Sequence, residues 1–302
     1  MNRVVAAVLV LASLAASASA DEATPSSPTR RELLVLAFPG WRPDSPAEVA
    51  AGKPAIRHLR VPKVAWPFHG GIGDSTNEPR DVVKIAPLEV VRMDETHAVL
   101  VTWALSSDDH RAAACDSYYC TYALGVYFFE WSGSAWRLRK RLDVAASIDG
   151  SNEPAARVAM WPGHGAVLGV RQSNCHGGDC VEALQLIGLE TGRIAFRFGM
   201  PTGIDEGGMF SPDPCQDILD HAFKPRPDED YSAVRCRQAQ GDWRIDGDAI
   251  RIDIDESTRQ GRQDSQGAST LGKLRNRHLI VRLVPQGATL KLIQGKVPDY
   301  IL

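Results

Sequence analysis

From Asp81 onward the chain is a succession of short β-branched or aromatic runs separated by turn residues, and it almost nowhere sustains a helical period. Val82 to Ile85, Leu88 to Met93, Ala98 to Leu105, Tyr122 to Trp131 and Trp136 to Val144 each read as strands; only Cys215 to Phe223 approaches a helical repeat. This pattern predicts an all-β protein of antiparallel meanders. Leu124 to Phe129 is apolar on both alternating faces, so it reads as a central strand covered on both sides. Ile250-Arg251-Ile252-Asp253-Ile254 alternates strictly, the mark of a strand with one buried face. Glu32 to Phe38 reads as a first strand, and Ser257 to Gly272 as a polar loop.

The turns between these runs are hairpin-like. Ser132-Gly133-Ser134 leads into Trp136, Asp246-Gly247-Asp248 into Ile250, and Gln286-Gly287 joins His278–Pro285 to Thr289–Ile293. Ala183 to Leu189 passes through Glu190-Thr191-Gly192 into Arg193 to Phe198, where Ile194, Phe196 and Phe198 share a face. That segment of about 16 residues resembles the outer hairpin of β-propeller blades, and the resemblance implies four-stranded units. Ile72-Gly73-Asp74-Ser75-Thr76-Asn77-Glu78-Pro79 is echoed by Ile148-Asp149-Gly150-Ser151-Asn152-Glu153-Pro154, and more faintly by Ile204-Asp205-Glu206-Gly207-Gly208. The echoes predict one β domain over residues 31–302, built of units near 72–147, 148–203 and 204–302, propeller-like or packed as a β-sandwich.

The N-terminus reads as a secretory signal over residues 1–20: Arg3, an apolar run from Val4 to Ala16, then Ala18-Ser19-Ala20 before Asp21. Residues 21–30 are rich in Pro, Ser and Thr and read as a disordered linker. Thr29-Arg30-Arg31-Glu32-Leu33-Leu34 resembles a twin-arginine export signal, but the apolar stretch behind it is too short for a signal core. No later segment approaches the roughly 20 apolar residues of a membrane span. These features predict an exported protein, periplasmic or secreted.

All six cysteines fall in the exported part, and two pairs share one spacing. An even count in an oxidising compartment favours disulfides, and proximity in sequence pairs Cys115 with Cys120, Cys175 with Cys180, and Cys215 with Cys236. In the chain-entropy picture the short loops contribute about 2 kcal/mol each and the longest about 3.4. Two C-x₄-C elements also partly match a zinc knuckle, although export weighs against it.

Composition narrows the function classes. After the signal, 33 basic and 37 acidic side chains remain, a near balance that argues against nucleic-acid binding. The one dense basic run, Arg137-Leu138-Arg139-Lys140-Arg141, places three arginines on one face of a strand and reads as a solvated edge. His69-Gly70-Gly71 resembles the oxyanion segment of esterases, yet the chain has no G-x-S-x-G, and no two histidines stand at zinc-hydrolase spacing.

Two groups of residues stand out as candidates. Asp74, Glu78, Asp149 and Glu153 lie in the echoed loops, where convergence would give an acid/base pair or, through Asp74 and Asp149, a Ca²⁺ site; no other cofactor is implied. Tyr118, Tyr119 and Trp131 offer an aromatic surface for a protein or glycan partner. No complete catalytic motif is present, so the chain reads as an exported binding protein, with a secreted polymer hydrolase using the loop carboxylates as the alternative.

Overall fold

A computed structural model describes residues 27–39, 57–65, 79–106, 120–150, 155–176, 179–206, 214–220, 234–263 and 269–300. The chain is all-β and antiparallel. A five-stranded sheet is built in chain order from β1 (Arg57–Ala65), β2 (Pro79–Arg92), β3 (His97–Ser106), β4 (Cys120–Trp131) and β5 (Trp136–Gly150). A second sheet follows the order β14-β13-β11-β10-β9-β8-β7-β6, with β12 beside β11. Its strands are β6 (Ala155–Trp161), β7 (Gly165–His176), β8 (Asp179–Glu190), β9 (Arg193–Asp205), β10 (Val234–Asp246), β11 (Ala249–Gln263), β12 (Ser269–Leu271), β13 (Arg275–Gln286) and β14 (Thr289–Gln294). The echoed motif at residue 148 falls at the end of the first sheet, and that at 204 falls at the end of β9.

The first strand expected from sequence is instead a helix, α1 (Arg30–Ala37). Its start is a capping box: the Glu32 N–H donates to Thr29 Oγ1 at 3.2 Å, and the Thr29 N–H donates to Glu32 Oε2 at 2.8 Å. The polar stretch read as a disordered linker therefore ends in an ordered cap. Leu33, Leu34, Ala37 and Phe38 recur at helical spacing and pack on Ile85, Leu100, Tyr127 and Phe129 of the first sheet. Arg141 locks the far end by donating to the Ala37 carbonyl while pairing with Asp143 and lying over the Phe38 and Tyr127 rings. The dense basic run is thus not a uniform solvated edge. A register shift between Phe128 and Phe129 breaks its alternation and turns Arg141 inward.

Four layers result. The other face of the first sheet, with Val101, Trp103, Leu124 and Phe128, packs on Leu168, Val170, Ile187 and Leu189 of β7 and β8. The opposite face of those strands, with Val167, Leu184 and Leu186, packs on Trp243, Ile252, Ile254 and Val281 from β10, β11 and β13. Strands β4, β7 and β8 are therefore covered on both sides, which accounts for their continuous apolar runs.

The second sheet folds over itself. β10 pairs with β9 only at Gln238–Asp205 and Ala239–Ile204, then passes over the first half. Asp242 meets Arg171 of β7 and Arg157 of β6, and the Trp161 indole N–H donates to the Gly247 carbonyl at 3.2 Å. This is sandwich packing, and β6 to β14 form one continuous hydrogen-bonded order rather than separate four-stranded blades. Glycines permit the crossing: a Cβ on Gly169 would lie 2.3 Å from the Trp243 indole nitrogen, and one on Gly241 2.8 Å from the Thr202 carbonyl.

The helix expected near Cys215 is present as α2 (Pro214–Leu219). Disulfides Cys175–Cys180 and Cys215–Cys236 form, so neither pair is available to zinc; Cys115 lies outside the described residues. Ser257 to Gln263, read from sequence as loop, belongs to β11, because those polar residues pair with β10 and β12.

Candidate functional site

One face of β10, β11 and β13 changes character along its length. Near the hairpin turns it carries Trp243, Ile252, Ile254, Val281 and Leu283, all at most 1% exposed. Further along the same strands, on the same side, it carries Arg235 and Arg237, Glu256 and Thr258, and Arg275 and Arg277. The register aligns them in rungs. Arg237, Thr258 and Arg275 sit side by side on one rung, and Ala239, Glu256 and Arg277 on the next.

At the boundary lies a buried polar cluster. Glu256 is 4% exposed and accepts hydrogen bonds from Arg237 Nη2 at 2.8 Å and from the Tyr300 hydroxyl at 3.1 Å. The Arg237 guanidinium also lies 4.4 Å from the Tyr300 ring centre. Burial works against the Arg237 charge, but Glu256 more than offsets it and holds the group above its ordinary value. Burial, then the Glu256 charge, push the Tyr300 phenol up, so it stays a donor at all working pH values. Tyr300 reaches this position because residues 295–300 run from the Ile280 carbonyl of β13 across to Arg237 of β10. This C-terminal strap closes the apolar core at that end.

Beyond the strap a cleft of about 460 Å³ opens. It is lined by Arg235, Arg237, Arg259, Lys273, Arg275 and Arg277 against two carboxylates, Glu256 and Asp299, a formal excess of four positive charges. That excess stands on a chain whose net charge is −3. Glu256 is committed to Arg237 and Tyr300, and Asp299 lies 3.7 Å from Arg237. A backbone hydrogen bond, then Lys296 and Arg237, hold the Asp299 carboxyl below its ordinary value. Arg259 is 8% exposed, and its guanidinium donates to the Gly272 and Ile218 carbonyls; among the described residues no carboxylate pairs with it. Lys273, Arg275 and Arg277 likewise have no carboxylate within ion-pair distance among the described residues.

The back of the cleft is stiffened from the opposite face. Cys215, Ile218, Leu219 and Cys236 form a small core with Leu271 and Leu274, and the Cys215–Cys236 disulfide ties α2 to β10. The cationic wall is therefore braced from behind.

A second cleft, of about 610 Å³, lies where β9 and β10 part, beside the Cys175–Cys180 disulfide. Glu182, Asp205, Asp255 and several Ser and Gln side chains line it. Among the described residues no group of three His, Cys, Asp or Glu side chains is arranged to hold a metal.

Most candidates singled out from sequence fall elsewhere. Asp74, Glu78, Glu153, Tyr118 and Tyr119 lie outside the described residues. Asp149 belongs to β5, with its backbone in register with Thr121. Trp131 closes the β4–β5 hairpin edge-on to Trp136, with ring centres 5.6 Å apart, and packs at the rim of the core beneath α1. The cationic cleft escaped sequence reading because its side chains come from separate segments between Arg235 and Asp299, none of them a dense basic run. The alternate-position pairs Arg235/Arg237 and Arg275/Arg277 were the one available signal.

No helix among the described residues is long and apolar enough to cross a membrane, and the two disulfides fit an oxidising compartment. The chain matches no protein-family model, no curated protein and no solved structure.

Proposed function

We propose that this is an exported binding protein of the periplasm or extracellular space, and that it captures an anionic partner, protein or glycan, in the cationic cleft. The observation that carries the reading is the excess charge: among the described residues six cations, five of them on strands, surround one concavity with a formal excess of four, and both lining carboxylates are already engaged. Five of the six are arginines, whose planar forks suit carboxylate and other oxyanion groups better than a lysine point charge does. Like charges brought together weaken the fold unless something is gained by it, and an anionic ligand supplies that gain.

The reading is tested by amide chemical-shift mapping of the mature protein during titration with polyuronate and with poly-aspartate. Shifts concentrated at Arg235, Thr258, Arg275 and Arg277 are expected from at least one of the two. Shifts absent from these residues with both polymers would refute it.

A further inference from the structure

We infer that the cleft's partner is a protein, recognised through an extended acidic segment with carboxylates at strand spacing. This inference rests on the anion-binding reading above and narrows it. Arg235 and Arg237 stand two residues apart on β10, as do Arg275 and Arg277 on β13, so each row repeats at about 7 Å. The rows flank β11 and lie roughly 10 Å apart, two strand spacings. A single small oxyanion reaches one rung of this lattice and leaves the other cations unanswered. An extended peptide has the matching repeat, because its own side chains alternate with the same period. Laid over β11, a run of four acidic residues sends two carboxylates toward each row.

The lining also speaks against the other polyanions. Nucleic-acid strands are gripped by aromatic platforms as well as charge, and sugar rings by aromatic faces. Among the described residues the side chains lining the cleft include no aromatic, and Tyr300 beside it is 5% exposed with its hydroxyl committed to Glu256. What the cleft offers instead is guanidinium forks and, between the rows, the Thr258 hydroxyl.

The experiment uses the mature protein with its disulfides intact and three probes: an acetylated peptide with four consecutive Asp flanked by Ser, a uronic-acid tetrasaccharide of equal charge, and inorganic phosphate. Binding is read by calorimetry for the wild type and for Arg235→Ser, the double variant Arg275→Ser/Arg277→Ser, and Lys291→Ser. Lys291 is an exposed cation on β14 away from the cleft, and it controls for net charge. Circular dichroism confirms that each variant is folded. The peptide is expected to bind at least tenfold tighter than the tetrasaccharide or phosphate. Arg235→Ser, which thins the β10 row, and Arg275→Ser/Arg277→Ser, which removes the β13 row, should each weaken it at least tenfold, and Lys291→Ser should leave it unchanged. Tighter binding of the tetrasaccharide overturns the peptide inference and leaves the anion-binding reading standing. An equal loss with Lys291→Ser overturns the inference as mere net charge. Failure of all three probes overturns both.

Discussion

The same face of β10, β11 and β13 is a hydrophobic core at one end and a cationic wall at the other, and the two ends obey opposite rules. At the core end every side chain answers to packing: Trp243 fills the space left by Gly169, and Ile252, Ile254 and Val281 are sealed from water. At the other end the side chains repel one another and are held by α2 and its disulfide behind them and by the strap beside them. The Glu256, Arg237 and Tyr300 cluster sits at the join and allows one continuous β surface to serve both purposes. The contrast shows that strand register, not loop sequence, builds this site.

Substitutions along this face should therefore separate stability from binding. The largest stability loss is expected from Trp243→Ala, about 3–5 kcal/mol in denaturant unfolding, because it empties a fully buried indole site. A loss under 1 kcal/mol would mean that the second-half core is not packed as described. Next comes Glu256→Ala, at the join. It leaves the Arg237 guanidinium and the Tyr300 hydroxyl without their acceptor, and about 2–3 kcal/mol should be lost, less than for a fully sealed pair because Arg237 opens onto the cleft. An unchanged unfolding midpoint would show that the cluster does not hold the strap.

Arg275→Ser and Arg277→Ser should each change stability by no more than about 0.5 kcal/mol, since both side chains are exposed and unpaired among the described residues. Their effect belongs to binding, and a large stability loss would place them in the structural end of the face. The smallest effect concerns the reverse side of the same strands. There a hydrogen bond to Asp255 raises the His278 pKa above its ordinary 6.5, with Asp253 assisting and Arg244 and Arg251 already engaged on Asp253. The charged His278 is favoured in the folded state, so its contribution is fully present below pH 6.5 and fades as pH rises through the raised value. His278→Gln should flatten that small decline in melting temperature between pH 6 and 8, and a wild-type curve already flat there would contradict it.

Some of this architecture was legible in the sequence. Leu124 to Phe129 announced a strand covered on both faces, and Ile250 to Ile254 a strand covered on one. Cys175–Cys180 and Cys215–Cys236 follow from nearest-neighbour pairing, and the latter sits where the helical repeat begins. The helix at Arg30 reads as a strand because Leu33 to Phe38 is apolar at every position, which hides the helical spacing of its buried residues. The decisive signal was local, Thr29 and Glu32 at capping-box spacing. The site was harder to see for a different reason. Strand pairing between residues 237, 258 and 275 is a long-range property, and each of those segments alone reads as an ordinary charged strand end.

The most direct measurement is calorimetric titration of the disulfide-bonded protein with poly-aspartate at a series of salt concentrations, for wild type and Arg275→Ser/Arg277→Ser. The account expects wild-type affinity to fall steeply as salt rises, and the double variant to bind at least tenfold more weakly at every concentration. An affinity indifferent to salt, or equal in both proteins, would contradict it.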